Sequence, residues 1–329
     1  MITVNDILNQ YTEFGILVIK GTNIIIASLP KCDIYNNDRL PAMINWLKQY
    51  VNIHNNDNKI DGRYFYTVFD GFREHTPPSL VGGYEYITES TLPLYGNAQF
   101  VNKEQLHQKY PLLPYPVIAY GRHKKDDTCI TVPNHDFIVQ RGFIDMKYNI
   151  RKNDIEWNKK INKIYWRGGN NGAIYPIYDK ENKANQRTLA VEWSKKHTGI
   201  SDIDYSRNTS KEEYLKYKYL LDIDGMVNAW SALFWKLSTK SAVFKIDSHW
   251  GEWYYKYLKP YVHYIPINGD LSNMEEQYNW AESHEKEVLE IISNANILVD
   301  RITYEYSLQS DDIYSSFIQS NIFYKEFNN

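Results

Sequence analysis

The chain has 329 residues, enough for two domains of ordinary size or for one large domain. Its 37 Lys and Arg are balanced by 40 Asp and Glu, which leaves a formal net charge of -3 and no surplus of cations for a nucleic-acid backbone. Cys32 and Cys129 are its only two cysteines, which excludes a disulfide framework and a cysteine-rich zinc site. We therefore expect a protein of a reducing compartment without a nucleic-acid partner.

The N-terminal stretch lacks the marks of a secretory signal, since it has neither a basic start nor an apolar run of the required length. Residues 15–30 are apolar, but the polar residues 20–23 divide them into halves too short to span a membrane. A β-hairpin over residues 16–27, with its turn at 21–23, explains the segment better. We predict a soluble, cytoplasmic protein without a transmembrane segment.

The rest of the first half predicts a mixture of helix and strand. Residues 40–51 place Met43, Leu47 and Val51 on one face of a helix. Residues 64–69 are all aromatic or β-branched, which predicts a strand that runs directly into Asp70 and Gly71.

The second half alternates strands and helices with short connections. Strands are predicted at residues 163–169, 217–223, 241–246 and 261–267, with helices at 187–197 and 228–237. The second of these helices places Trp230, Leu233, Phe234 and Leu237 on one face. Repeated strand–helix–strand units indicate a parallel sheet with helices packed on it.

The C-terminal part is predicted to be helical. Ser272 and Glu275 fit a capping box at the start of one helix. Further along that region Val288, Ile291, Ile292, Ala295 and Ile302 recur at helical spacing, and residues 311–327 predict a last helix. A domain boundary is expected near residues 140–155, in a basic and polar stretch.

Three groups of residues lie where predicted strands end, at 70–71, 167–169 and 222–225. Ligands of parallel sheets bind beyond the carboxyl ends of the strands. Glycines let the backbone approach a ligand there, and a helix starting near residue 228 would offer free amides to an anion. Arg167 and Arg187 could supply forked donors to a diphosphate. The pattern favours a nucleotide or nucleotide-sugar site.

Each of these features has a structural interpretation as well. Asp222 and Asp224 would point to the same face of a strand and so could share a metal ion, but an aspartate after a strand is most often a turn residue or a helix cap. An Arg beside two glycines is about as often in a surface ion pair. The sequence has no HExxH, Walker or GxGxxG motif. We therefore predict no metal site and no cofactor, and Trp230 is more often a core residue than a sugar platform.

Three stretches resemble glycosyltransferase family 90. They are "YWRGGNNG" followed by Arg187, "YKYLLDIDG" followed by "AWS", and "SHWGEWYYKYLKPYVHYIPINGDLSNMEE". The resemblance covers about residues 160–310, and in the first half it rests only on "YFYTVFDG" and "TVPNHDF". The family contains protein O-glucosyltransferases and O-xylosyltransferases, capsule-associated xylosyltransferases and lipopolysaccharide-modifying enzymes.

The resemblance implies an α/β fold of the GT-B-like type, in which two Rossmann-like domains face each other across a cleft. Residues 1–145 would form the acceptor domain, residues 146–308 the nucleotide-sugar-binding domain, and residues 309–329 a C-terminal helix that could return to the first domain. Characterised members of the family invert the anomeric centre and need no metal.

The resemblance also implies roles for single residues. Asp70 would be the general base that takes the proton of the acceptor hydroxyl. The donor would be bound by Arg167, Gly168, Gly169, Arg187, Asp224, Gly225, Trp230, Ser231 and Lys236. Phe137 would form part of the acceptor or sugar wall, and Glu252 would support a residue that touches the donor.

One departure from the family pattern concerns the helix after the glycine loop. Many members have an Arg shortly after the serine, whereas this chain has Ala232 and Leu233 there. Lys236, one turn further along, would substitute. The departure implies a lower donor affinity, a different donor, or an inactive relative that binds a nucleotide sugar or a carbohydrate. A structural virion or envelope protein is a separate alternative.

We predict an inverting, metal-independent glycosyltransferase that moves glucose or xylose from a UDP-sugar. The acceptor is expected to be a hydroxyl of a glycan, a lipopolysaccharide or a glycoprotein. The absence of a secretory signal and of an ER-retention tail favours a bacterial or virus-encoded enzyme.

Overall fold

The computed structural model describes Val4, Leu8 and residues 14–31, 38–68, 115–124, 129–170, 185–206, 208–225, 231–248 and 250–327. The described part is a mixed α/β structure with two five-stranded sheets and one two-stranded ribbon. This confirms the α/β class expected from the sequence.

The strands described in the first half are β1 (Gly15–Lys20), β2 (Asn23–Ser28), β3 (Gly62–Tyr66), β4 (Val117–Ala119), β5 (Gly121–His123) and β6 (Cys129–Thr131). All of them except β5 form a mixed sheet in the order β2-β1-β3-β4-β6. Strand β1 pairs antiparallel with β2 and β3, and β4 pairs parallel with β3 and β6. The pair β1–β2 is the predicted hairpin, and Gly21 in its turn has a φ of +56°.

The helices described in this half are α1 (Arg39–His54), α2 (His135–Val139) and α3 (Ile144–Asn153). The Asp38 carboxylate accepts a hydrogen bond from the Arg39 amide at the start of α1. Met43, Leu47 and Val51 are completely buried, so the predicted apolar face of α1 is confirmed.

The strands described in the second half are β7 (Ile161–Gly168), β8 (Ser201–Tyr205), β9 (Tyr217–Asp222), β10 (Ala242–Ile246), β11 (Trp250–Glu252) and β12 (Ile265–Ile267). All of them except β11 form a parallel sheet in the order β12-β10-β9-β7-β8. From β7 the chain goes to β8 on one side, and it then continues with β9, β10 and β12 on the other side. A switch point therefore lies between β7 and β9.

Helices cover this sheet and continue to the C-terminus. The helices are α4 (Gln186–Lys196), α5 (Lys211–Tyr214), α6 (Ser231–Lys236), α7 (Met274–Ser283), α8 (Glu285–Arg301), α9 (Tyr304–Leu308) and α10 (Asp311–Phe327). None of the helices in the described ranges combines the length and the apolar character needed to cross a bilayer.

Two local predictions in the second half were wrong. The strand predicted over residues 261–267 is limited to β12, because the chain turns at 261–263, where Tyr261 has a φ of +57°. The capping box is not formed: α7 begins after Asn273, without a side-chain cap. The Asn273 amide oxygen and the Ser272 hydroxyl instead accept hydrogen bonds from Asn268.

Two features connect the halves. Strands β5 and β11 pair antiparallel, so that Gly121 lies opposite Glu252. Helix α10 packs on the first sheet, with the Phe317 ring 5.5 Å from that of Tyr64 and the Asn321 amide hydrogen-bonded to the Tyr64 hydroxyl at 2.8 Å. The predicted domain bounds stay predictions.

Candidate functional site

The candidate site lies at the switch point, where β7 ends at Gly168 and β9 ends at Asp222. Helix α4 begins beside the end of β7, where the Asn185 side-chain amide donates a hydrogen bond to the Asn170 carbonyl at 3.1 Å. The Asn185 side chain also accepts from the Thr188 amide and so caps the helix. Arg187 is the second residue of this helix. Its side chain can therefore reach the ends of both strands.

Arg187 ties the two strand ends together. Its Nε donates to the Asp224 carbonyl at 3.0 Å, and Nη1 donates to the Gly169 carbonyl at 3.0 Å. Nη2 makes a longer contact of 3.5 Å to the Ile223 carbonyl. Burial lowers the pKa of the guanidinium, and Asp224 and Asp222 oppose that change. The side chain is thus a buried cation that holds the loops after β7 and β9.

Gly168 is required by the packing of its own strand. A Cβ atom built on Gly168 would lie 2.4 Å from Cζ2 of Trp166, a separation at which the indole ring must move. The same Trp166 ring lies 5.4 Å below the Arg187 guanidinium. Glycine at position 168 lets the C-terminal end of β7 lie close to the Trp166 ring. The Arg187 guanidinium lies over the same ring.

The Arg167 side chain is not brought together with Arg187. Arg167 contacts Asp202, with 2.5 Å between Nη2 and Oδ1 and 2.8 Å between Nη1 and the carbonyl oxygen. Its guanidinium lies 4.6 Å above the Tyr165 ring. Neighbouring residues of a strand point to opposite faces, so Arg167 lies on the face opposite to Trp166 and Arg187.

Lys236 forms a buried ion pair with Asp222. Its Nζ donates to Oδ1 of Asp222 and to the Leu221 carbonyl, both at 2.9 Å, and both side chains are almost fully buried. Burial lowers the pKa of Lys236, and Asp222 opposes that change. A second buried cation, Lys245, lies 3.9 Å from Oδ2 of the same carboxylate. Lys236 is therefore committed to the sheet, where the sequence predicted a phosphate ligand.

Asp224 has different surroundings from Asp222. Its Oδ2 accepts a hydrogen bond from the Ser248 hydroxyl at 2.5 Å, and Oδ1 is buried without a hydrogen-bond partner among the described residues. Burial raises the pKa of Asp224, Lys245 lowers it, and Asp222 raises it further. Within the described ranges, no group of three or more His, Cys, Asp or Glu side chains could hold a metal ion.

Glu252 is the third buried acid of this region. Its Oε2 accepts a hydrogen bond of 2.7 Å from the Asn134 amide, and Asn134 also caps α2 by accepting from the Phe137 amide at 2.9 Å. In the described part of the chain, Oε1 of Glu252 is buried and has no hydrogen-bond partner. Burial raises the pKa of this carboxyl group well above its usual value of 4.5.

A cavity of about 280 Å³ lies next to Glu252, between the two halves. Lys256 in its wall contacts Asp312 of α10 at 2.7 Å, while burial and the charge of Arg122 lower the pKa of Lys256 to about 8. The sequence did not predict these basic residues, because strand pairing between distant segments brings them together. The cavity is lined by Arg122, Lys124, Thr131, Gly251, Glu252, Trp253, Tyr255, Lys256, Asp312, Ile313 and Ser316.

Of the remaining predicted site residues, three lie within the described ranges and two do not. Phe137 is 1% exposed, and its ring contacts those of Phe143, Phe234 and Trp253 within 6 Å, so it offers no surface to an acceptor. Gly225 and Ser231 are described, on either side of residues 226–230. Asp70 and Trp230 lie outside the described residues.

The family model described as Glycosyl transferase family 90 matches residues 97–320. Protein O-glucosyltransferase 2 of Danio rerio is 36% identical over 188 residues, which covers 54% of this chain and 37% of the relative. Protein O-glucosyltransferase 1 of Homo sapiens is 28% identical over 181 residues, covering 50% of this chain and 45% of the relative. The chain thus spans less than half the length of these curated relatives.

Two further similarities are more distant. The uncharacterized protein 179R of Invertebrate iridescent virus 6 is 26% identical over 179 residues, covering 42% of this chain and 15% of that protein. The crystal structure of a glycosyltransferase from Rickettsia africae ESF-5 covers 77% of this chain, and 70% of that structure is covered in turn, with 10% identity and a TM-score of 0.34. The similarity to the Rickettsia africae structure is too low to support an inference.

Proposed function

The chain belongs to glycosyltransferase family 90, and from that premise we propose that it transfers a sugar from a nucleotide-sugar donor to a hydroxyl group. The donor is proposed to be a UDP-sugar, with glucose or xylose as the transferred unit. The acceptor is proposed to be a glycan, a lipopolysaccharide or a glycoprotein. The two halves would act as the two domains of a GT-B-like enzyme, with the substrates between them.

The observation that carries the proposal is the arrangement at the switch point. A buried arginine meets the loops after two adjacent parallel strands, which is where open α/β sheets bind their ligands. The contact of Nη2 with the Ile223 carbonyl is the longest of the three, at 3.5 Å. We propose that a phosphate oxygen of the donor replaces that contact, while the two shorter ones keep the loops in place.

The proposed reaction is a single displacement. The acceptor oxygen bonds to the anomeric carbon from the side opposite to the nucleotide, and the proton of that hydroxyl passes to Asp70. The bond between the anomeric carbon and the phosphate oxygen breaks, and UDP leaves with the electron pair. Arg187 would stabilise the charge that builds up on the leaving diphosphate, without a metal ion.

A second candidate function is binding without turnover. The observation that favours it is the position of Lys236, which the sequence offered as a substitute for the missing arginine of the family. Its ammonium group instead contacts Asp222 and the Leu221 carbonyl. A protein that bound the donor through Arg187 alone would have a lower affinity for the diphosphate and could have lost catalysis.

The test is UDP release from UDP-glucose and UDP-xylose, measured in EDTA with a panel of glycan and glycoprotein acceptors. We expect wild-type turnover, and we expect Asp70→Asn to lower the rate by about 10²–10⁴ with UDP affinity unchanged, because the amide keeps the shape but cannot accept the proton. Full activity of Asp70→Asn would contradict the role of the base. UDP binding without release for every donor would favour the second candidate.

A further inference from the structure

Strand β2 forms one edge of the first sheet, and only β1 pairs with it among the described strands. We propose that the outer side of β2 pairs with the same strand of a second copy of this chain. The two strands would run antiparallel across a two-fold axis and join two five-stranded sheets into one. This inference concerns assembly and does not depend on the proposed function.

The side chains of β2 are apolar and largely exposed. Ile25 is 54% exposed and Ile26 is 40% exposed, and Leu29 directly after the strand is 56% exposed. Ile24, by contrast, packs against the core of the first half. An apolar strand at the edge of a sheet is a site where a further strand can pair.

The other edges of the two five-stranded sheets have features that block such pairing. Strand β6 is buried, and α10 lies against it. Strand β8 carries Asp202 and Asp204, and β12 is three residues long and contains Pro266. Strand β2 has six residues without a charge or a proline, and its irregularity at Ala27 lies beyond Ile26. It therefore lacks the protection that the other three edges have.

The backbone groups on the outer side of β2 belong to Ile24 and Ile26. A two-residue turn joins β1 to β2, and the pair Lys20–Asn23 closes it. Hydrogen-bonded and non-hydrogen-bonded pairs alternate along an antiparallel ladder, so the N–H and C=O groups of Asn23 and Ile25 point to β1. Those of Ile24 and Ile26 point away from β1. An added strand would give hydrogen-bond partners to these four groups.

A second β2 strand matches these groups in one antiparallel register. With Ile25 opposite Ile25 of the second copy, Ile24 of each copy lies opposite Ile26 of the other, and both of these pairs can exchange two backbone hydrogen bonds. Side chains alternate between the two faces of a strand, so Ile25 meets its counterpart on one face while Ile24 and Ile26 meet on the other. Every isoleucine of β2 then lies beside an isoleucine of the second copy.

Charge and symmetry favour a second copy as the occupant of this edge. Residues 21–30 contain no Asp, Glu, Lys or Arg, so two copies meet along β2 without repulsion between like charges on the strand. The register maps onto itself under a two-fold rotation, which is the commonest symmetry of protein dimers. Because the pairing covers the outer side of both β2 strands, assembly along this edge stops at two copies.

The mass of the protein in solution is the first test. Sedimentation of the full chain should show a dimer, with twice the 38.9 kDa mass of the chain, that dissociates on dilution. Amide hydrogen exchange of the wild type gives a second readout without any substitution. The Ile24 and Ile26 amides should exchange more slowly as the protein concentration rises, whereas exchange of the Ile25 amide, which points to β1, should not change.

Two substitutions separate strand pairing from unspecific apolar association. Ile25→Lys places like charges opposite each other at the two-fold axis, and Ile26→Pro removes an outward N–H but no hydrogen bond to β1. We expect each substitution to raise the dissociation constant of the dimer at least about tenfold. Ile297→Lys, at a 64% exposed position of α8, is the matched control and should leave the constant within about twofold.

A mixture of two charge variants tests the register. Ile25→Lys and Ile25→Glu should each be monomeric at concentrations at which the wild type is dimeric, because like charges meet at the axis. Mixed in equal amounts, the two variants should form a heterodimer in which a lysine lies opposite a glutamate. Recovery of the dimer would also show that both variants are folded.

The opposite results would overturn the inference. A wild type that stays monomeric up to about 100 μM would exclude the dimer, and slow exchange of the Ile24 and Ile26 amides at every concentration of that monomer would assign the edge to another segment of the same chain. A dimer that Ile25→Lys and Ile26→Pro leave intact would place the interface elsewhere. A dimer weakened by Ile25→Lys but not by Ile26→Pro would exclude backbone pairing, and a mixture of the two charge variants that stays monomeric would exclude the register.

Discussion

The end of strand β7 depends on a residue without a side chain. Gly168 leaves room for the Trp166 ring, which supports Arg187. We expect Gly168→Ala to lower the free energy of unfolding by about 1–3 kcal/mol, because the added methyl group would overlap Trp166 and force the ring to move. Urea denaturation measures the change. Gly199→Ala is the matched control, since a Cβ there meets nothing within 4 Å, and an equal loss in both variants would contradict the account.

Three buried acids near the site differ because their neighbours differ. Asp222 faces two lysines, Asp224 accepts from a serine hydroxyl, and Glu252 accepts from an amide through Oε2, while its Oε1 is buried without a hydrogen-bond partner among the described residues. Sequence spacing located Asp222 and Asp224 at a strand end, and the family resemblance pointed to Glu252, but neither revealed these partners, which come from distant segments. For the same reason the sequence did not reveal that Asp202 on the neighbouring strand holds the Arg167 side chain.

Helix α10 completes the core of the first half. The Phe317 ring is fully buried, 5.5 Å from the Tyr64 ring and 6.1 Å from that of Tyr50. We expect Phe317→Ala to cost about 3–5 kcal/mol of stability in urea denaturation, because it removes a large apolar side chain and leaves a cavity. Ile322→Ala on the exposed side of the same helix should cost less than about 1 kcal/mol. Similar losses in the two variants would mean that α10 does not pack as described.

Elements with a strong local pattern could be predicted from the sequence, and elements that depend on distant partners could not. Helix α1 has a hydrophobic period that matches its burial, and the apolar runs of β7, β9 and β10 lie in the buried part of each strand. The hairpin was predicted from its turn residues, although Ile25 and Ile26 of its second strand are exposed. The ribbon β5–β11 has no such signal, because three-residue strands more than 100 positions apart recognise each other only in the folded chain. Since that ribbon carries Glu252 to Asn134, the cavity could not be predicted either.

In the described part of the protein, a connected set of contacts joins the two sheets. The ribbon β5–β11 and the last helix border the cavity between the halves, and the hydrogen bonds from Ser248 to Asp224 and from Trp250 to Ser248 connect the switch point to that ribbon. A donor bound at the switch point would contact both loops that Arg187 holds, so the site is a property of the assembled protein and not of one motif.

The change in thermal stability caused by UDP, in wild type and in Arg187→Gln, tests most directly the central claim that a nucleotide sugar binds at the ends of β7 and β9. At a UDP concentration of 100 times the dissociation constant, we predict a stabilisation of the wild type by about 2.7 kcal/mol and a smaller one for Arg187→Gln at the same concentration. Equal stabilisation of the two proteins, or no response of the wild type at any UDP concentration up to the millimolar range, would contradict the account.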